Sequence, residues 1–90
     1  MAQPGSLDEY YEGVGTLTER LALAGAREQA ADLMNALRIG STSGECLNNT
    51  GAVLRVLLND SAVTTAGLAD EVGGLQDQCR ALLDRAYGRP

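Results

Sequence analysis

The sequence predicts an all-α fold: a compact antiparallel bundle of four amphipathic helices over about residues 6–24, 26–39, 43–59 and 64–87. Three observations carry this expectation. Apolar residues recur at spacings of three and four in four separate segments. Short polar or glycine-bearing joints separate those segments, which favours antiparallel neighbours in an up-and-down order. No stretch alternates apolar and polar residues as a half-buried strand would.

The first helix is expected to start at Ser6, with residues 1–5 a flexible lead. Ser6 followed by Glu9 has the spacing at which each side chain takes up an unpaired amide of the first turn. Leu7, Tyr10, Tyr11, Val14, Leu17 and Leu21 then mark one face. Gly13 and Gly15 weaken this helix by about 0.5–1 kcal/mol each relative to alanine, and they leave room for close approach by a neighbour. Gly25 suits the left-handed position just past a helix end. The second helix carries Ala30, Leu33, Met34 and Leu37 on its apolar face, with Arg27, Glu28, Asp32 and Asn35 turned away, and stops near Gly40. In the third, Leu47, Thr50, Leu54, Leu57 and Leu58 form the stripe, up to a breaker at Asn59–Ser61. The fourth has the most regular seam, Leu68, Val72, Leu75, Cys79, Leu82 and Ala86, alternating four and three apart. An up-and-down order would gather Tyr10, Tyr11 and Tyr87 at one end of the bundle.

Ninety residues with 44% hydrophobic content specify one domain with one modest core, and that core contains no Phe or Trp. Each well-buried Leu or Val stabilises by roughly 1.5–3 kcal/mol, while ordering the chain costs about 1–2 kcal/mol per residue, so the margin is thin. The net charge is −5, from 7 arginines and no lysine against 12 acidic residues. Without a basic cluster the chain lacks the footprint of a nucleic-acid-binding protein. No apolar run is long enough to span a membrane, and the opening residues lack the pattern of a signal peptide, which predicts a cytoplasmic location.

Candidate chemistry is sparse. The stretch Arg38–Leu47, RIGSTSGECL, has two readings. Thr42 and Glu45 repeat the capping spacing behind a helix-stopping Gly40, so the stretch reads first as a joint. The sharper alternative is anion binding by Ser41, Thr42, Ser43 and Gly44 at the start of the third helix. Glu45 and the absence of the Gly-Lys-Ser/Thr ending of a P-loop weigh against it. With no histidine and no lysine, a nucleophilic serine or cysteine has no general base of the usual kinds, and two cysteines cannot complete a four-ligand zinc site. Cys46 and Cys79 fall about equally far from a turn near residue 62, so they are a candidate pair, although free thiols are the expectation for a reduced cytoplasm. Acidic pairs occur at Asp8/Glu9, Glu9/Glu12 and Asp70/Glu71. Helical pyrophosphatases hold magnesium with such pairs, but here each pair suits a helix start without any metal. Two Asn-x-Ser/Thr matches, at Asn48–Thr50 and Asn59–Ser61, matter only in a secreted chain. The stretch NDSAV at Asn59–Val63 resembles the Asp-Ser-Leu of acyl carrier proteins over three residues and lacks the leucine.

The functional expectation follows mainly from exclusion: a non-catalytic, acidic protein–protein interaction module of the regulator, antitoxin or immunity type, with no cofactor. Its partner would be a basic protein, or a second copy in a homodimer. Asp8, Glu9, Tyr10, Tyr11 and Glu12 form the candidate recognition patch, since tyrosines among carboxylates suit a basic surface. Val53, Val56 and Leu23 stand off their helices' main stripes and leave apolar surface for another chain. The alternatives are a carrier or small-anion binder using Ser61 or the start of the third helix, and a carboxylate–magnesium enzyme.

Overall fold

A computed structural model of the chain describes residues 7–40 and 42–86, with Ser43 and Ala86 described in their backbone only. Five helices follow one another: α1 (Leu7–Leu23), α2 (Arg27–Ile39), α3 (Ser43–Leu57), α4 (Ser61–Thr65) and α5 (Ala69–Ala86). The four long ones form a closed ring in which α1 packs on α2 and α5, and α3 packs on α2 and α5. Contact pairs run in opposite senses along the chain. Arg20 pairs with Glu71 while Gly13 faces Leu75, and Gly51 faces Cys79 while Gly73 faces Leu58. The expected all-α antiparallel bundle is therefore the fold. The expected gathering of Tyr87 with Tyr10 and Tyr11, and the capping by Ser6, lie outside the described residues.

The leucine stripes are the core. Val14, Leu17, Leu21, Leu33, Leu54, Val63 and Val72 are fully buried, and Leu68, Leu75 and Leu82 are buried in the fourth seam. The periodicity dictates this because residues three and four apart share one face of a helix.

The connections use two similar endings. Gly25 takes φ 90 and Gly67 takes φ 75, left-handed values that cost other residues strain. At the first ending, Ala26 N–H donates to the Leu21 carbonyl at 2.8 Å and Gly25 N–H to Ala22 at 3.1 Å. At the second, Leu68 N–H donates to Val63 at 3.1 Å and Gly67 N–H to Thr64 at 3.0 Å. Both are Schellman endings, and in each the apolar pair that brackets the turn is buried.

The stretch expected to be only a breaker before a helix at about 64 contains α4. Asp60 accepts from Ala62 N–H at 2.8 Å, which starts the short helix, and buried Val63 anchors it to the core. Gly67 then ends it, so the last long helix begins at Ala69.

Gly40 stops α2 as expected, but unlike Gly25 it does so without left-handed geometry. Its backbone is extended (φ −78, ψ 134), and the requirement for glycine is steric: a Cβ there would lie 2.7 Å from the Cys46 nitrogen and 3.0 Å from its Cα. The end of α2 rests directly on the backbone of α3.

Candidate functional site

The start of α3 is capped by the chain's own side chains. Thr42 caps α3, its Oγ1 accepting from Glu45 N–H at 3.2 Å and donating to the Glu45 carboxylate at 3.4 Å. A hydroxyl engaged with a carboxylate presents negative charge where an anion would have to sit. Of the other candidate anion-binding positions, Ser41 and the Ser43 side chain lie outside the described residues, and Gly44 is the second residue of α3.

The N-terminal patch divides. Asp8 and Glu12 are exposed, while Glu9 and Tyr11 are half-buried. Tyr10 is fully buried and is not part of a surface, which corrects its place in the expected recognition patch. Its hydroxyl lies 2.6 Å from Thr50 Oγ1, and Thr50 donates to the Cys46 carbonyl at 2.7 Å. α1 and α3 sit diagonally across the ring, so this phenol is the polar link through the middle of the bundle. Burial pushes its pKa well above the ordinary value for tyrosine.

The candidate cysteine pair is not formed; both thiols are free. Cys46 points toward the end of α2, 3.5 Å from the carbonyls of Leu37 and Gly40. Cys79, on α5, donates to the Leu47 carbonyl at 3.0 Å and is buried, which raises its pKa. One thiol is thus spent on each flank of α3. Among the described residues no group of three carboxylate or thiol side chains converges to hold a metal ion. In the Asp70/Glu71 pair, Glu71 is bound to Arg20 of α1. Ser61 is exposed at the first position of α4, beside a shallow depression that includes Ala24, Ala26 and Ala62. No helix among the described residues is long and apolar enough to cross a membrane.

Two grooves remain, one on each side of α3, and Ala52 lines both. The groove between α3 and α5 encloses about 660 Å³ over Leu47, Gly51, Cys79 and Leu83, and its charged residues are Arg55, Arg80 and Asp84. The groove between α2 and α3 encloses about 570 Å³. Ile39 and Val56, which are 71% and 67% exposed, line it at opposite ends, with Ala36, Ala52 and Val53 between them. All its charged residues are acidic: Glu28 and Asp32 at the start of α2, and Asp60 just beyond α3. Because α2 and α3 are antiparallel, those three carboxylates gather at one end.

Sequence reasoning had a signal for Val56, which stands off its leucine stripe. It missed Ile39, hidden beside the joint, and it read Glu28 and Asp32 simply as outward-facing. Only the pairing of α2 with α3 makes one surface of them. Comparison with known protein families, with characterised proteins and with solved structures finds no match to this chain.

Proposed function

We propose that the protein is a non-catalytic interaction module that engages another protein chain through the groove between α2 and α3. The observation behind this reading is the pair of large aliphatic side chains, Ile39 and Val56, held in water at the two ends of one continuous channel. Single exposed apolar residues are ordinary on protein surfaces, as Leu23 is at the end of α1. Several apolar side chains along one groove between two helices, among polar ones such as Asn35 and Asn49, are the form in which protein surfaces accept a partner's helix. The sequence gives independent support, since it lacks the histidine and lysine that most acid–base and nucleophilic chemistry uses.

The test is capture from the native host with three baits: the wild type, Val56→Arg, and the double variant Asp8→Asn/Glu12→Gln. The reading expects a protein retained by the first and third baits and lost by the second. Retention by Val56→Arg with loss by the N-terminal double variant would move the interface to the start of α1. Both variants change exposed residues and should leave the helical content unchanged.

A further inference from the structure

The geometry points to the occupant of this groove: one amphipathic helix of a partner protein, with an apolar stripe and basic residues clustered at the end that meets Glu28, Asp32 and Asp60. This deepens the reading above and rests on it. The lining from Glu28 to Ile39 covers twelve positions of α2. At about 1.5 Å per residue that is a channel of roughly 16 Å, which suits three turns of a docked helix. Leu, Ile or Val at spacings of three and four would meet Ile39, Val53 and Val56 along the channel.

The charge argument is local. Glu28 and Asp32 are exposed and enter no ion pair within the chain among the described residues, and no arginine lines this groove. Asp60 is held in place by Gln29, whose amide donates to it at 3.1 Å, and by the amide of Ala62. These donors also keep its carboxyl below the usual carboxylate range, so it stays ionised. Three carboxylates toward one end of the channel, one of them held in place, favour cations there and set the direction of the bound helix. They also disfavour a second copy of the chain in the same groove. A second copy docking through the same face would offer these carboxylates no cation, since no arginine lines the groove, in a protein whose net charge is already −5.

Two synthetic peptides of about fourteen residues test this directly. They share one leucine stripe and differ only in the flanking residues at one end, arginine in one and glutamate in the other. Labelled peptide is titrated with the full chain, and amide shifts map where it binds. The arginine peptide should bind at least tenfold more tightly than the glutamate peptide, with shifts concentrated in residues 28–39 and 49–60. Ile39→Ser and Val56→Arg should each weaken binding about tenfold. Glu28→Gln/Asp32→Asn should weaken it several-fold and flatten its dependence on salt. Asp8→Asn/Glu12→Gln removes the same charge elsewhere and should leave affinity unchanged.

Equal binding of the two peptides, or equal losses from the two double variants, would overturn the basic-helix inference. If Val56→Arg still blocked binding in that case, the groove reading would survive. Binding that ignores Val56→Arg and Ile39→Ser would overturn both. A dimer in sedimentation that Val56→Arg dissolves would assign the groove to a second copy and likewise overturn the inference.

Discussion

The two flanks of α3 are built differently. Toward α5, the helix presents Gly51 to a sulfur, the buried Cys79 Sγ, which would lie 3.0 Å from an added Cβ. Toward α2, the meeting at Gly40 is backbone on backbone. Electrostatically the flanks also differ: arginines border one groove, and carboxylates alone border the other. Contact with a flexible or compressible side chain can adjust to a change, whereas contact with main chain cannot. The difference teaches that tight packing and an open apolar surface coexist on the α2 side: the helices are pinned at Gly40, and the channel beyond it is left unfilled.

Substitutions can break or sharpen this contrast. The largest effect should come from Gly40→Ala. Its Cβ would strike the Cys46 backbone, so the end of α2 must lift, with a loss of about 1–3 kcal/mol in chemical denaturation. An unchanged midpoint would mean that the pin does not exist. Thr42→Ala, which removes the cap of α3 on the same side, should cost about 0.5–2 kcal/mol.

In the middle of the bundle, Tyr10→Phe removes the diagonal hydroxyl but leaves Thr50 its bond to the Cys46 carbonyl, so a cost of about 0.5–1.5 kcal/mol is expected. The same variant tests the buried protons. Tyr10 and Cys79 hold theirs more tightly when folded than their ordinary values of 10.0 and 9.0 imply. Their contribution is therefore fully present below those values and declines as pH rises beyond them. The melting temperature should fall in alkali above that window, and more gently in Tyr10→Phe. Parallel curves for the two proteins would count against a buried phenol. The smallest effect belongs to Gly51→Ala. A gain in helix stability of about 0.5–1 kcal/mol opposes a slight displacement of Cys79, and the net change should stay under about 1 kcal/mol.

How far the sequence could be read depends on the range of the interactions involved. Leu68, Val72, Leu75, Cys79 and Leu82 announce a buried seam because their spacing alone places them on one helix face. Gly25 and Thr42 are similarly local signals, a left-handed turn and a hydroxyl three residues before a glutamate. Tyr10 continues the three-and-four spacing of Leu7, Val14, Leu17 and Leu21, whereas Tyr11 fits it only as far as Val14, so the inward turn of Tyr10 was legible within α1. Its bond to Thr50, forty positions away in the chain, was not. The candidate patch failed at Tyr10 because it took both tyrosines together. Asp60 was legible as a breaker but not as the cap of a five-residue helix, because so short a helix also needs the burial of Val63 in a core built from the other elements. The groove was least legible of all, since its walls come from two helices whose outward residues carry no mark of facing each other.

Ala52 stands on the crest between the two channels, and its single methyl is low enough to leave both open. Whatever rides over that crest from one side narrows the approach from the other. A longer side chain at position 52 would therefore close down both channels at once.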